Sequence, residues 1–206
     1  MITLKDFSVS KFLNDHQYAR RYKKYLKRNI YLDTHALCLI LLGKFDDNYD
    51  YNTLEGEKSD FMNIITYKKL INILDKHKNG KKVVTPAVIT ESLNHLFTAI
   101  ENKYSSSPEK KEIENKFAHF LQQQIILFKE KNPSIKDMLT HRWTEMIKHH
   151  KLRDRFEAGE LSIFVEIDKG KYSTIVTNDR FRIDKDGENY EPDNTLIINI
   201  NTLALS

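Results

Sequence analysis

The stretch Ala36–Leu42 constrains this chain more than any other: seven consecutive apolar residues, set within Thr34–Gly43. A helix that is apolar all round has no face to offer to water and must be enclosed on every side. Crossing a bilayer takes roughly 20 such residues, so the enclosure has to come from protein. Directly before it, Asn29-Ile30-Tyr31-Leu32-Asp33 is a short β-rich run that ends abruptly on an acid. A strand feeding a buried helix is the building unit of a layered α/β domain.

The same alternation continues along the chain. Residues 8–28 are helix-compatible, with Phe12, Leu13, Tyr18, Tyr22 and Tyr25 as a broken apolar stripe, and residues 44–57 read as a polar loop. Phe61, Ile64, Ile65, Leu70, Ile71 and Leu74 give a helix between Ser59 and His77. Lys82-Val83-Val84 is a strand, and Thr85-Pro86 opens the next helix as N-cap and first helical residue. Ser105-Ser106-Ser107-Pro108 breaks that helix, and Ile113, Phe117, Phe120, Leu121, Ile125 and Phe128 form the stripe of another, ended by Asn132-Pro133. Residues 137–150, with the single tryptophan Trp143, read as helical, as does the apolar segment Gly159–Lys169. Ser173–Thr177 and Thr195–Ile200 are the last two strands, the latter apolar in a row as in a sheet covered on both faces. Short apolar strands separated by helices give a central parallel sheet flanked by helices on both faces.

Composition narrows the class. With 206 residues, 40% of them apolar and 30% charged, the chain can build one ordinary core under a charged surface. The lone cysteine, Cys38, excludes a disulfide framework and a Cys-based zinc site. Met1–Asp6 has no apolar signal core, so a cytoplasmic protein with no membrane association is expected. Net charge is only +4, but cations cluster. Residues 20–28 hold six of them with Tyr22, Tyr25 and no acid, and a second group includes His141, Arg142, Lys148, His149, His150, Arg153 and Arg155. Each is either a solvated helix face or a phosphate-binding surface, the two tyrosines being available for stacking in the second case.

In a parallel sheet ligands bind beyond the carboxyl ends of the strands, which makes four acids the candidate site. Asp33 and Asp179 close predicted strands; Glu91 and Glu160 lie in the early turns of predicted helices. Each alone has an ordinary explanation: Asp33 as an N-cap, Glu91 as an exposed acid, Glu160 as a complement to the helix dipole, Asp179 as an Asx turn. Together they would face one edge. Four carboxylates about 5 Å apart repel by roughly 3 kcal/mol per pair at an effective dielectric of about 20. The six pairs come to about 20 kcal/mol, more than the roughly 5–15 kcal/mol that holds a domain folded. Such a cluster must protonate or hold a divalent cation, and oxygen-only ligands select Mg²⁺ or Mn²⁺ over zinc.

Ile30-Tyr31-Leu32-Asp33-Thr34, Val84-Thr85-Pro86-Ala87-Val88-Ile89-Thr90-Glu91, Gly159-Glu160-Leu161-Ser162-Ile163 and Ile175-Val176-Thr177-Asn178-Asp179-Arg180-Phe181 resemble, in order, the four motifs of PIN domains. The resemblance implies a Rossmann-like PIN-type α/β fold over about residues 29–206, with extra helical material at about 105–150 and a basic helical extension at 1–28. It implies a metal-dependent endoribonuclease, as in the toxins of VapC-type toxin–antitoxin pairs, that hydrolyses RNA to 5′-phosphate and 3′-hydroxyl ends. Asp33, Glu91, Glu160 and Asp179 would then be the catalytic, metal-binding acids, with Asp154 the rival of Glu160. Thr34 and Thr177 would be hydroxyls that position water or phosphate, and Arg20, Arg21, Lys23, Lys24, Arg153 and Arg155 would hold flanking phosphates. An antitoxin-like protein and a second copy of the chain are further partners compatible with the resemblance. Two other readings stay open: a non-catalytic nucleic-acid- or protein-binding module on the same fold, and a phosphotransferase with Asp33 as nucleophile. The last wants a second acid two residues on, where this chain has His35. His35 itself reads as core packing in the buried helix.

Overall fold

The computed structural model describes residues 9–54, 62–75, 80–125, 128–130, 158–167, 171–178 and 194–204. Its elements are α1 (Val9–Asn14), α2 (His16–Leu26), β1 (Asn29–Leu32), α3 (Thr34–Tyr49), α4 (Ile64–Asp75), β2 (Lys81–Val84), α5 (Pro86–Lys103), α6 (Lys110–Ile125), β3 (Lys129–Glu130), α7 (Ala158–Glu166), β4 (Ser173–Thr177), β5 (Thr195–Asn199) and α8 (Ile200–Ala204).

Strands β2, β1, β4 and β5 form an all-parallel central sheet, extended beyond β2 by the two-residue β3, in the order β3-β2-β1-β4-β5. Every position of β4 is buried. Successive strand residues point to opposite faces, so helices must cover both. The chain order reverses between β1 and β4, and that is where an open parallel sheet leaves a crevice at its carboxyl edge. Register fixes what meets there. Tyr31 is level with Val83, and Leu32 with Val176, so Asp33, two residues past Tyr31 and one past Leu32, stands level with Thr85 and Thr177.

The apolar run forms the buried helix that its composition demands: Ala36 to Gly43 are all buried in α3. The helix is longer than the sequence reading had it, running on from Lys44 to Tyr49 where a loop was expected. Phe45 supplies the reason. It is fully buried, with its ring centre 4.9 Å from Phe117, 5.4 Å from Phe120 and 5.3 Å from Tyr51. A single buried aromatic extends the helix by a turn and a half beyond its uniformly apolar part. Asp50, at φ 55° in the left-handed region, ends it, and the Asp46 carboxylate accepts from the amides of Thr53 (2.6 Å) and Leu54 (3.0 Å) to fold the chain back.

Other boundaries also shift. The expected helix over 8–28 is split at Asp15, whose carboxylate accepts from the amides of Gln17 and Tyr18 at 2.8 and 3.1 Å and so caps α2. Thr85 caps α5 with Pro86 at its start, and the Ser105–Pro108 break separates α5 from α6, as the sequence predicts. The last strand ends at Asn199 because α8 begins at Ile200. Strand β3 is too short to leave an alternation in the sequence.

Tyr22 and Tyr25 are not available for stacking on a nucleic acid. They are 0% and 6% exposed and join Phe12 and Leu26 in the main core, so α1 and α2 are integral to the domain and their cations face out. Residues Ile113, Phe117, Phe120 and Leu121 bring α6 into the same core. The expectations for Asn132-Pro133, 137–150 with Trp143, the second cationic group and Asp154 lie outside the described residues. Among the described residues no helix is long and apolar enough to cross a membrane.

Gly43 is where α3 meets the ring of Tyr67 on α4: a Cβ built there would lie 2.3 Å from Tyr67 Cδ2 and 2.4 Å from Cγ. Tyr67 cannot swing clear without breaking the 2.5 Å hydrogen bond its hydroxyl donates to the Asp47 carboxylate. Gly43→Ala is therefore expected to cost about 1–3 kcal/mol by overpacking, read as a lower urea midpoint with an unchanged slope.

Candidate active site

Asp33 is placed by backbone geometry alone. As the residue after β1 its amide donates to the Val176 carbonyl of β4 at 3.0 Å, continuing the ladder one step past the strand. Its side chain then does two things. Oδ1 accepts from the Ala36 amide at 2.8 Å and caps α3, so the ordinary cap explanation is correct. Oδ2 accepts from the Asn178 amide at 3.2 Å, just past β4. The carboxylate thus bridges the two strands where the chain order reverses, and it is 3% exposed.

Asn178 is held from the other side. Its carbonyl accepts from Asn201 Nδ2 at 2.6 Å and Asn199 Nδ2 at 3.4 Å, and the Asn201 amide donates to Asn199 Oδ1 at 2.9 Å. Sequence reading missed this asparagine cluster. Its only signal was three Asn at the carboxyl ends of two apolar strands, which reads equally well as turn chemistry. The Asn178 Oδ1 atom is buried with no hydrogen-bond partner among the described residues.

Glu91 reaches the same place from α5. It is half-buried, and its Oε2 accepts a 2.8 Å hydrogen bond from the Thr34 hydroxyl in the first turn of α3. No lysine or arginine pairs with it among the described residues. Its exposed-surface explanation is therefore wrong. Chain-distant Asp33 and Glu91 are linked through adjacent residues, because Thr34 follows Asp33 directly. The negative charges of Asp33 and Glu91 also act on Cys38, whose Sγ donates toward the Ser92 carbonyl at 3.7 Å. Burial first, and then those charges, push its thiol up to about 12 against the contrary effect of the Ser92 side chain.

The first turn of α7 closes the third side. A Cβ at Gly159 would lie 2.9 Å from Glu91 Oε2, 3.3 Å from Val88 Cγ2 and 3.5 Å from Thr34 Oγ1, so a side chain here would have to displace the carboxylate that Thr34 holds. The turn is pinned by Ser162, which donates to the Gly159 carbonyl at 2.6 Å and shares a short hydrogen bond with the Thr85 hydroxyl. Glu160 stands next to Gly159 and is 8% exposed. Thr177 is fully buried at the end of β4. His35 is not core: it is half-buried, with its ring 5.6 Å from that of His95.

Of the predicted site residues, the structure brings together Asp33, Thr34 and Glu91, sets Gly159–Glu160 against them and puts Thr177 in the adjoining strand. Asp179, Arg153 and Arg155 lie outside the described residues. Arg20, Arg21, Lys23 and Lys24 are elsewhere, on the outer face of α2, and Lys24 reaches Tyr172 at the opposite, amino edge of the sheet. Among the described residues no group of three His, Cys, Asp or Glu side chains is arranged to hold one metal ion. The donors present are carboxylate and hydroxyl oxygens, the set that suits a hard divalent cation, and the one nearby sulfur keeps its proton. No family model, curated protein or solved structure matches the chain.

Two outcomes follow from this geometry. Gly159→Ala is expected to cost about 1–3 kcal/mol, and distinctly less in a Glu91→Ala background, where the looser Val88 and Thr34 contacts remain; equal costs in a double-mutant cycle would show that Glu91 is not what the methyl meets. The raised thiol pKa makes the folded state hold the Cys38 proton where the unfolded chain has lost it. That contribution is complete below the ordinary thiol value of 9.0 and disappears as pH rises toward about 12. Wild type is expected to lose stability with pH above 9 more steeply than Cys38→Ala, by up to about 1.4 kcal/mol per unit, in urea titrations.

Proposed function

We propose that the chain is a metal-dependent endoribonuclease of PIN-type fold that cleaves RNA phosphodiester bonds at the carboxyl edge of the sheet. The observation that carries this reading is the joining of Asp33 to Glu91 through Thr34 at the strand-order reversal, with the backbone of α7 packed directly on the Glu91 carboxylate. Two acids brought together from separate elements, one nearly buried and the other with no cation beside it among the described residues, add repulsion that a merely structural role does not require.

In this reading Asp33, Glu91, Glu160 and Asp179 hold Mg²⁺ or Mn²⁺. A divalent cation so held supplies a bound water of lowered pKa and neutralises charge on the scissile phosphate. The chain's own residues do the positioning. The amides of Ala36 and Asn178 fix both oxygens of Asp33 and so set the orientation of its carboxylate. Thr34 orients Glu91 by donating to Oε2. Thr177, level with Asn199 beside Asp33, supplies a further hydroxyl at the strand end.

One observation favours a second reading, a non-catalytic binding module: among the described residues no three ligating side chains are arranged for one cation. A single experiment separates the two. Cleavage of a labelled RNA should require Mg²⁺ or Mn²⁺, stop in excess EDTA and fall at least about 100-fold in Asp33→Asn, with circular dichroism and the melting midpoint nearly unchanged. RNA binding without cleavage under any of these conditions, and no rise in melting midpoint with Mn²⁺, would establish the binding module instead.

A further inference from the structure

The outer face of α2 is strongly cationic, and the carboxylate site does not use it. Arg20, Lys23, Lys24 and Lys27 recur at helical spacing and form one exposed stripe about 10 Å long, with Arg21 beside it. Tyr18, Tyr22 and Tyr25 recur on the opposite side, facing the core. Among the described residues no carboxylate pairs with any of these five cations. A row of cations without counter-charges, on a helix anchored by buried tyrosines, is fixed in place yet electrostatically unsatisfied.

An exposed ring stands where the row ends. Tyr172, 36% exposed, sits where the chain enters β4, and Lys24 Nζ lies 4.3 Å from its ring centre and donates to its hydroxyl at 3.2 Å. Tyr25 packs against the same ring edge to face at 5.0 Å, so an otherwise mobile surface tyrosine is held in one orientation. Helix α2 runs toward the amino edge of the sheet, since β1 begins three residues after its end. The length of β1, about 13 Å, separates that edge from Asp33.

We propose that this face of α2, with Tyr172, is a binding surface for single-stranded nucleic acid, distinct from the carboxylates and at the opposite edge of the sheet. Phosphates take the cation row and an unpaired base takes the aromatic ring, the combination that holds single strands without reading sequence. The proposal rests on the ribonuclease reading only in taking that strand to be the substrate. The surface retains a strand while the carboxylate edge acts on a distant part of it.

The test is fluorescence anisotropy of a labelled oligouridine with the full chain in EDTA, which removes any contribution of a cation at the carboxylates. Arg20→Glu, Lys23→Glu and Lys27→Glu combined, all at exposed positions and checked for fold by circular dichroism, should weaken binding at least about tenfold. The slope of log affinity against log salt should shrink by about 2, at roughly 0.7 per phosphate contact on a single strand. Tyr172→Ala should weaken oligouridine binding about fivefold or more and leave heparin binding unchanged, because heparin has no bases to stack. Unchanged affinity in the triple variant overturns the proposal. Binding to phosphatidylserine vesicles in place of oligouridine overturns it in favour of a lipid surface. Cleavage that survives Asp33→Asn while the triple variant loses binding would sink the carboxylate reading and leave this surface standing.

Discussion

One side chain joins the two halves of the sheet. The Asp33 amide continues the β1–β4 ladder, one carboxylate oxygen caps the buried helix α3, and the other takes the amide that follows β4. A parallel sheet delivers all its strand ends to one edge, leaving backbone donors there that no further strand satisfies. A carboxylate at the order reversal answers one of them and a first-turn amide of α3 at once. The polar network around it depends on that placement: Thr34 is next in sequence and so meets Glu91, while Asn178 is drawn in and gripped by Asn199 and Asn201.

The site is consequently rigid on its backbone side. Ser162 ties the first turn of α7 to the cap of α5, Gly159 lets that turn lie on Glu91, and Ser92 donates to the Thr34 carbonyl at 3.3 Å. The hydroxyls of Thr34, Thr85, Ser92 and Ser162 each have a partner within this network, which is how a polar cluster survives beside an apolar core. Chemistry at such an edge gains from groups already oriented before a ligand arrives.

Much of the fold was legible because its signals are local. Thr85-Pro86, the Ser105–Pro108 break and the run at 173–177 mark element ends by residue type alone. Failures came where one tertiary contact outweighed local composition. Phe45 carries α3 through a polar segment by filling an aromatic cluster, and Tyr22 and Tyr25, flanked by cations, turn inward because the helix needs a buried face. The asparagine cluster was illegible for a different reason: turn residues and site residues share a composition, and only strand register says which asparagines meet.

By itself the sequence determined that a uniformly apolar helix had to be enclosed, that short strands had to pair in parallel between helices, and that Asp33 would stand at a strand end. Those follow from periodicity and burial, which are properties of single segments. Which acids meet was decided by tertiary structure alone, because it depends on the strand order β3-β2-β1-β4-β5 and on the level at which neighbouring strands end. The same ordering sent the cations of α2 away from the acids: a helix that precedes a parallel strand must finish at the edge where that strand begins, a full strand length from where it ends.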